Sequence, residues 1–225
     1  METDHGKLRQ MLVDAISMME RAGIIDFNGH FSARLPGDRM LINSGKSVRS
    51  AMTVDDIVAI DMDGKLVEGD AVPPMEFHIH AQIYRRRPDV NAVVHTHPYW
   101  STLFSMADQP VLPVIMQAAV LGQIPVFPKT ASINTRALGQ ELAECLGDGR
   151  VAMLKSHGAV AAGSDIVEAF VLGVYLEETA QRQYMASRLG SVTVLDTEQV
   201  QAISRNLWKP NLLRKVWDYH YGKRG

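Results

Sequence analysis

The segment "DIVAIDMDGKLVEG", residues 56–69, restricts the fold more than any other. Apolar side chains alternate on either side of Asp63-Gly64, a dipeptide suited to the tight turn of an antiparallel hairpin. A second pair of short strand patterns, "HFSARLP" and "RMLINSG", meets through Pro36-Gly37. Further strands are expected at "NAVVH", "VLPVI", "IPVF", "RVAMLKS" and "GAVAAG". Between them lie helical patterns. Residues 5–22 repeat apolar positions at Leu8, Met11, Leu12, Ala15, Ile16 and Met19, and Gly23 closes the run. "PPMEFHIHAQIYRRRP" is a helix bounded by prolines, and a short helix follows Pro98. Residues 134–146 form another. Ser164 is placed to cap a long helix from Asp165 to about Leu189, and a last helix follows Pro210. Hairpin signals outnumber strand–helix–strand crossovers. The expected class is therefore α/β, a three-layer α/β/α arrangement around a central, mainly antiparallel sheet. With 225 residues, 46% of them hydrophobic, and no linker or repeat, one domain over residues 1–225 is expected.

Charge and cysteine usage remove several function classes. A formal net charge of -2 gives no footing for a nucleic-acid partner, and Arg85-Arg86-Arg87 reads as a solvated helix end. Cys145 is the one cysteine, so a disulfide scaffold is excluded and a reducing, cytoplasmic setting fits. Cys145 itself reads as a small apolar filler in an amphipathic helix. The opening "METDHGKLRQ" is too polar for a signal peptide. The most membrane-like run, "PVLPVIMQAAVLGQIPVF", is broken by Pro110, Pro113 and Pro125, so no span is expected.

Chemistry concentrates in "NAVVHTHPYW", residues 91–100. Residues two apart on a strand share a face, so His95 and His97 can aim at one point while Pro98 stiffens the exit. "LKSHGAVAAG" repeats the pattern: an apolar strand, then His157, then Gly158, which lets the backbone turn close to a neighbour. Three strand-end histidines suit a three-nitrogen metal face with open positions. Glu76 stands at a helix start just before the first histidine strand, where a carboxylate can ligate a metal or act as a base. His80 follows four residues later, placed to orient that carboxylate. His30, after Gly29, is expected to line the cleft, whereas His78 reads as surface or interface.

Together, "P-P-x-E…H…A-x-Y-x-x-R-P-D-V-x-A-V-V-H-T-H-P", "GHFSAR" and "SHGAVAAG" resemble the class II aldolase/adducin family over nearly the whole chain. The resemblance implies an α/β/α fold with an antiparallel sheet, usually a homotetramer with active sites at subunit interfaces. It implies one divalent metal per subunit on His95, His97 and His157, with Glu76 as catalytic acid/base or extra ligand. Zinc is the default metal; manganese, cobalt and iron stay open. The adducins are non-catalytic relatives, but this chain keeps the three histidines and the glutamate.

The departures bear on the substrate. Sugar-phosphate members hold phosphate with a "T-x-G-N-x-S" loop and a "P-S-S-E" motif. Here His30 replaces the asparagine, and Pro74 and Met75 replace two hydroxyl donors. A phosphate needs N–H and O–H donors, so a non-phosphorylated substrate is favoured. Met116 and Gln117 occupy the region where those aldolases carry a tyrosine, and the C-terminal Tyr219 and Tyr221 are the replacement candidates. For a substrate carboxylate, the loop "NSGKSVRS" offers Ser44, Gly45, Lys46 and Arg49. The expected reaction is decarboxylation of a hydroxylated, dihydroxyaromatic-type carboxylic acid through an enediolate- or phenolate-like anion. Aldol cleavage of a hydroxy-oxo acid or a sugar phosphate is the alternative. An iron-dependent oxygenase and a non-catalytic scaffold follow.

Overall fold

The computed structural model describes residues 5–223. The first four residues of the opening stretch read against a signal peptide lie outside them. Eight strands are described: β1 (His30–Leu35), β2 (Arg39–Asn43), β3 (Ile57–Asp61), β4 (Leu66–Glu68), β5 (Ala92–Thr96), β6 (Val126–Phe127), β7 (Val151–Leu154) and β8 (Gly158–Gly163). They form one sheet in the order β4-β3-β2-β1-β5-β8-β7-β6. Every pairing is antiparallel except β6 with β7. The helices are α1 (His5–Arg21), α2 (Phe77–Arg86), α3 (Tyr99–Met106), α4 (Arg136–Leu146), α5 (Ile166–Ser187), α6 (Thr197–Leu207) and α7 (Pro210–Gly222).

Strand alternation sorts the core into two apolar layers. Phe31, Leu41, Val94 and Ala161 face α1, α5 and α7, while Met40, Ile42, Val93 and Ala162 face α2 and α4. The result is the three-layer α/β/α fold. Among the described residues no helix is long and apolar enough to cross a membrane.

The structure departs from the sequence reading in four places. "VLPVI" is not a strand. Its backbone is held by a side chain instead: Leu112 N–H donates to Gln183 Oε1 (2.7 Å), and Gln183 Nε2 donates to the Pro110 carbonyl (3.0 Å). Prolines at 110 and 113 cannot donate to a strand ladder, and this local satisfaction replaces it. "IPVF" contributes only Val126 and Phe127 to the sheet. Asp165, not Ser164, caps α5, its carboxylate accepting the Glu168 N–H. The helix α6 was not anticipated, although Asp196 and Gln199 form a reciprocal capping box at its start.

Candidate active site

The site lies where β5 leaves the sheet and β8 enters it, beside the start of α2. His95 stands opposite His30 across the β1–β5 pair, so both imidazoles emerge on the α2 side of the sheet. His97 lies just past β5, where Pro98 leads into α3. The buried carboxylate of Glu177 from α5 accepts the free N–H groups of Trp100 (2.6 Å) and Ser101 (2.9 Å), anchoring that turn. His157 precedes β8. A Cβ on Gly158 would lie 2.2 Å from the Thr96 carbonyl and 3.0 Å from His97 Cδ2, which explains glycine next to that histidine.

Glu76 occupies the cap position of α2, but its side chain makes no cap bond to its own helix. Its carboxylate instead accepts the Ile133 N–H (2.7 Å) and the Ser132 hydroxyl (3.0 Å) from the loop before α4. Burial pushes this carboxyl up. The nearby His30 imidazole, the Ile133 hydrogen bond and the His157 imidazole outweigh burial and hold it at about 2. Glu76 Oε2 is 3.7 Å from His95 Nε2 and 3.8 Å from His30 Nε2; Glu76 Oε1 is 3.7 Å from His157 Nε2. One ligand atom from each of Glu76, His95, His97 and His157 lies within 4.8 Å of all the others.

Hydrogen positions test whether these groups fit a metal. His95 Nδ1 is 3.0 Å from the Ala159 carbonyl, which only accepts, so its hydrogen sits on Nδ1 and the lone pair on Nε2. His97 Nδ1 is 3.1 and 3.2 Å from the two oxygens of Asp26, which imposes the same tautomer. The two Nε2 lone pairs then face each other 3.1 Å apart, a repulsive arrangement unless a cation lies between them. Two nitrogens each about 2.1 Å from a tetrahedral metal sit about 3.4 Å apart, so the gap fits. Burial, reinforced by neighbouring histidines, holds His95 well below its ordinary value, and burial lowers His157 as well. Neutral imidazoles are the form that binds a metal.

A cavity of about 810 Å³ opens over this cluster. Its wall includes Asn28, His30, Gly45, Lys46, Arg49, the Val72–Glu76 segment, Thr130, Ser132 and His157. The substrate-binding candidates divide there. Lys46 is exposed on the wall. Arg49 is buried, and its Nε donates to the carbonyls of Asn28 (2.6 Å) and Gly29 (2.8 Å) while Nη1 donates to Ser47. That guanidinium fastens the 44–49 loop to the 28–29 turn. Gly45 reaches the wall, whereas Ser44 is buried behind it. Tyr219 lies exposed on α7, under the Lys223 ammonium and off the cavity wall. His80 does not orient Glu76 directly. Glu76 has non-helical torsions (φ -88, ψ 19), so its side chain swings toward residues 132–133, and His80 Nε2 meets His30 Nδ1 at 2.6 Å instead. Sequence reasoning passed over Asp26, Ser132 and the Ile133 amide. Asp26 carried one local signal, its place three residues before "GHFSAR".

Residues 10–184 match the family described as Class II Aldolase and Adducin N-terminal domain. The chain belongs to the class II aldolase and adducin family. An L-fuculose phosphate aldolase of Methanococcus maripaludis is 28% identical over 76% of this chain and 93% of its own length. The 3,4-dihydroxyphthalate decarboxylase of Arthrobacter keyseri is 27% identical over 78% of this chain and 77% of its own. The L-fuculose-1-phosphate aldolase structure from Thermus thermophilus superposes with a TM-score of 0.73 at 28% identity, covering 84% of this chain and 100% of that one.

Proposed function

We propose that this chain, a carbon–carbon lyase by family and by site, decarboxylates a non-phosphorylated, hydroxylated carboxylic acid of the dihydroxyaromatic type. The observation that carries this reading is the cavity wall beside Glu76. It is built from Val72, Pro73, Pro74 and Met75, side chains without a hydrogen-bond donor, and suits a flat carbon skeleton better than a phosphate. The relation to 3,4-dihydroxyphthalate decarboxylase supports it. His95, His97 and His157 would hold one divalent metal, zinc by default with manganese, cobalt or iron as alternatives, and Glu76 stands within reach as an additional ligand. When bound, the metal supplies a Lewis acid that stabilises the negative charge left by the departing carboxylate.

The chain's own groups supply the rest. Lys46, and Arg49 behind it, attract the substrate carboxylate into the cavity. Glu76 starts as a carboxylate and would take the proton of a substrate hydroxyl whose acidity the bound metal would raise. Carbon dioxide leaves with cleavage of its bond to the ring, and the electron pair of that bond remains on the ring carbon. Protonated Glu76 returns the proton to that carbon, and the substrate oxygen regains one from water. Met75 on the cavity wall is exposed at 73%, and Phe27, the neighbour in sequence of the wall residue Asn28, at 81%. Such exposed apolar groups support a homotetramer whose sites lie at subunit interfaces.

A second reading, aldol cleavage of a hydroxy-oxo acid or a sugar phosphate, is favoured by the Thr130 and Ser132 hydroxyls on the wall and by the fuculose phosphate aldolase relatives. The test strips the protein with chelator, restores single metals, and follows carbon dioxide from hydroxybenzoates and dihydroxyphthalates, with Glu76→Ala as control. Metal-dependent release absent from the control is expected. Aldehyde from hydroxy-oxo acids or L-fuculose 1-phosphate, without carbon dioxide, overturns the decarboxylase reading.

A further inference from the structure

A row of buried side chains runs from the cavity floor into the core. His30 Nδ1 lies 2.6 Å from His80 Nε2, His80 Nδ1 2.7 Å from Ser32 Oγ, and Ser32 Oγ 2.7 Å from Tyr84 Oη. His30 is 3% exposed, and the other three are at most 1% exposed. β1 supplies His30 and Ser32 at alternate positions on one face, and α2 supplies His80 and Tyr84 four residues apart on one side. Only the outer end, His30 Nε2, meets the cavity.

Such a row has two self-consistent end-to-end hydrogen arrangements, because a neutral imidazole donates from one nitrogen and accepts at the other; Ser32 Oγ also lies 3.5 Å from the Val93 carbonyl, too long to compete with its two 2.7 Å contacts. In one, Tyr84 donates to Ser32, Ser32 to His80 Nδ1, and His80 Nε2–H to His30 Nδ1, which leaves the His30 hydrogen on Nε2. In the other, every bond reverses and a lone pair sits on His30 Nε2. The two ends of the row choose between them. His30 Nε2 looks at Glu76 Oε2 from 3.8 Å, and that carboxylate already accepts an amide and a hydroxyl. A lone pair aimed at a carboxylate is repelled and an N–H is attracted. The inner end agrees, because a phenol buried this deeply keeps its hydrogen and has one to give.

We infer that the row Tyr84–Ser32–His80 fixes the hydrogen of His30 on Nε2 and presents it to the cavity as a donor for an anionic oxygen of the substrate beside the metal site. His30 touches the substrate; His80, Ser32 and Tyr84 are positioning residues. The substrate half of this statement rests on the lyase reading, whereas the hydrogen position does not.

The experiment labels the histidines of the full chain with nitrogen-15 and reads, by long-range proton–nitrogen correlation, which ring nitrogen carries hydrogen. The His30 signals are those lost in His30→Gln. The expected result is hydrogen on Nε2 in the wild type and a mixture of both tautomers in Ser32→Ala. A wild-type hydrogen on Nδ1 overturns the inference. A pure Nε2–H form persisting in both Ser32→Ala and Tyr84→Phe overturns the role of the row. With zinc restored and 3,4-dihydroxyphthalate as substrate, His30→Leu should lower kcat about 100-fold, as loss of one preorganised donor does. His30→Gln, which keeps an N–H near the Nε2 position, should recover part of that loss with KM little changed. Equal kcat in His30→Leu and wild type overturns the donor role. A wild type that releases no carbon dioxide fails the lyase reading, while the nitrogen signals still judge the hydrogen position.

Discussion

Replacing Asp26 with alanine should weaken metal binding without removing a ligand. Both Asp26 oxygens face His97 Nδ1, at 3.1 and 3.2 Å, and this contact keeps the Nε2 lone pair turned toward the cluster. Partners of this outer kind change metal affinity by about 10–100-fold when removed. The Asp26 side chain is 39% exposed, so water screens part of its charge, and the low end applies. The expected loss is therefore about 10-fold, or about 1.4 kcal/mol. Asp26→Asn keeps an acceptor and loses only the charge, so a smaller loss of about 3-fold is expected. The assay is competition for zinc against a chromophoric chelator at neutral pH, with His97→Ala as a variant that removes a ligand outright. If Asp26→Ala binds zinc like the wild type while His97→Ala does not, the argument that Asp26 holds the His97 tautomer fails.

Three further outcomes follow from the structure. Metal-free protein should lose stability on acidification in two stages. Burial lowers His30, His80 and His95, so their contribution is complete above about 6.5 and fades as pH falls, by up to about 1.4 kcal/mol per pH unit for each. Glu76, held at about 2 against an ordinary 4.5, contributes roughly 3 kcal/mol that is present above pH 4.5 and lost as pH falls toward 2; urea melts of wild type and Glu76→Gln across this range separate the stages, and identical acid profiles would contradict it. Gly139→Ala should destabilise by about 1–3 kcal/mol and lower the melting temperature by several degrees, because a Cβ there would lie 2.6 Å from the His78 carbonyl at the crossing of α2 and α4; an unchanged calorimetric melt would refute it. Glu177→Ala leaves the Trp100 and Ser101 amides and the Ser101 hydroxyl without their acceptor, so a loss of about 2–4 kcal/mol in urea unfolding is expected, and a loss under 1 kcal/mol would show that the α3 turn does not depend on it.

Much of this arrangement was legible from residue order, because it follows from short-range rules. Alternation around Asp63-Gly64 and Pro36-Gly37 specifies antiparallel neighbours, prolines and glycines punctuate the helices, and a histidine two residues from another at a strand end must point its way. The same rules misread "VLPVI", where apolar composition imitates a strand that Pro110 and Pro113 forbid. They overlooked α6, an amphipathic helix lying against the surface with no fully buried residue.

What residue order alone determined is the kind of chemistry: the candidate ligands, the carboxylate near them, and a cavity wall without hydroxyls at Pro74 and Met75. What only the tertiary structure decided is how those groups are held. Asp26 meets His97 across 71 positions, Ile133 meets Glu76 across 57, and His80 meets His30 rather than Glu76 across 50. Each joins groups far apart along the chain, and no local periodicity encodes it. Arg49 shows the reason most plainly. In sequence it is a loop cation free to greet a carboxylate; in the fold its Nε is taken by the carbonyls of a turn about twenty residues earlier and its Nη1 by Ser47. Hydrogen bonds between buried groups are satisfied by whatever the fold brings within 3 Å, and that is a property of the packed chain rather than of any segment of it.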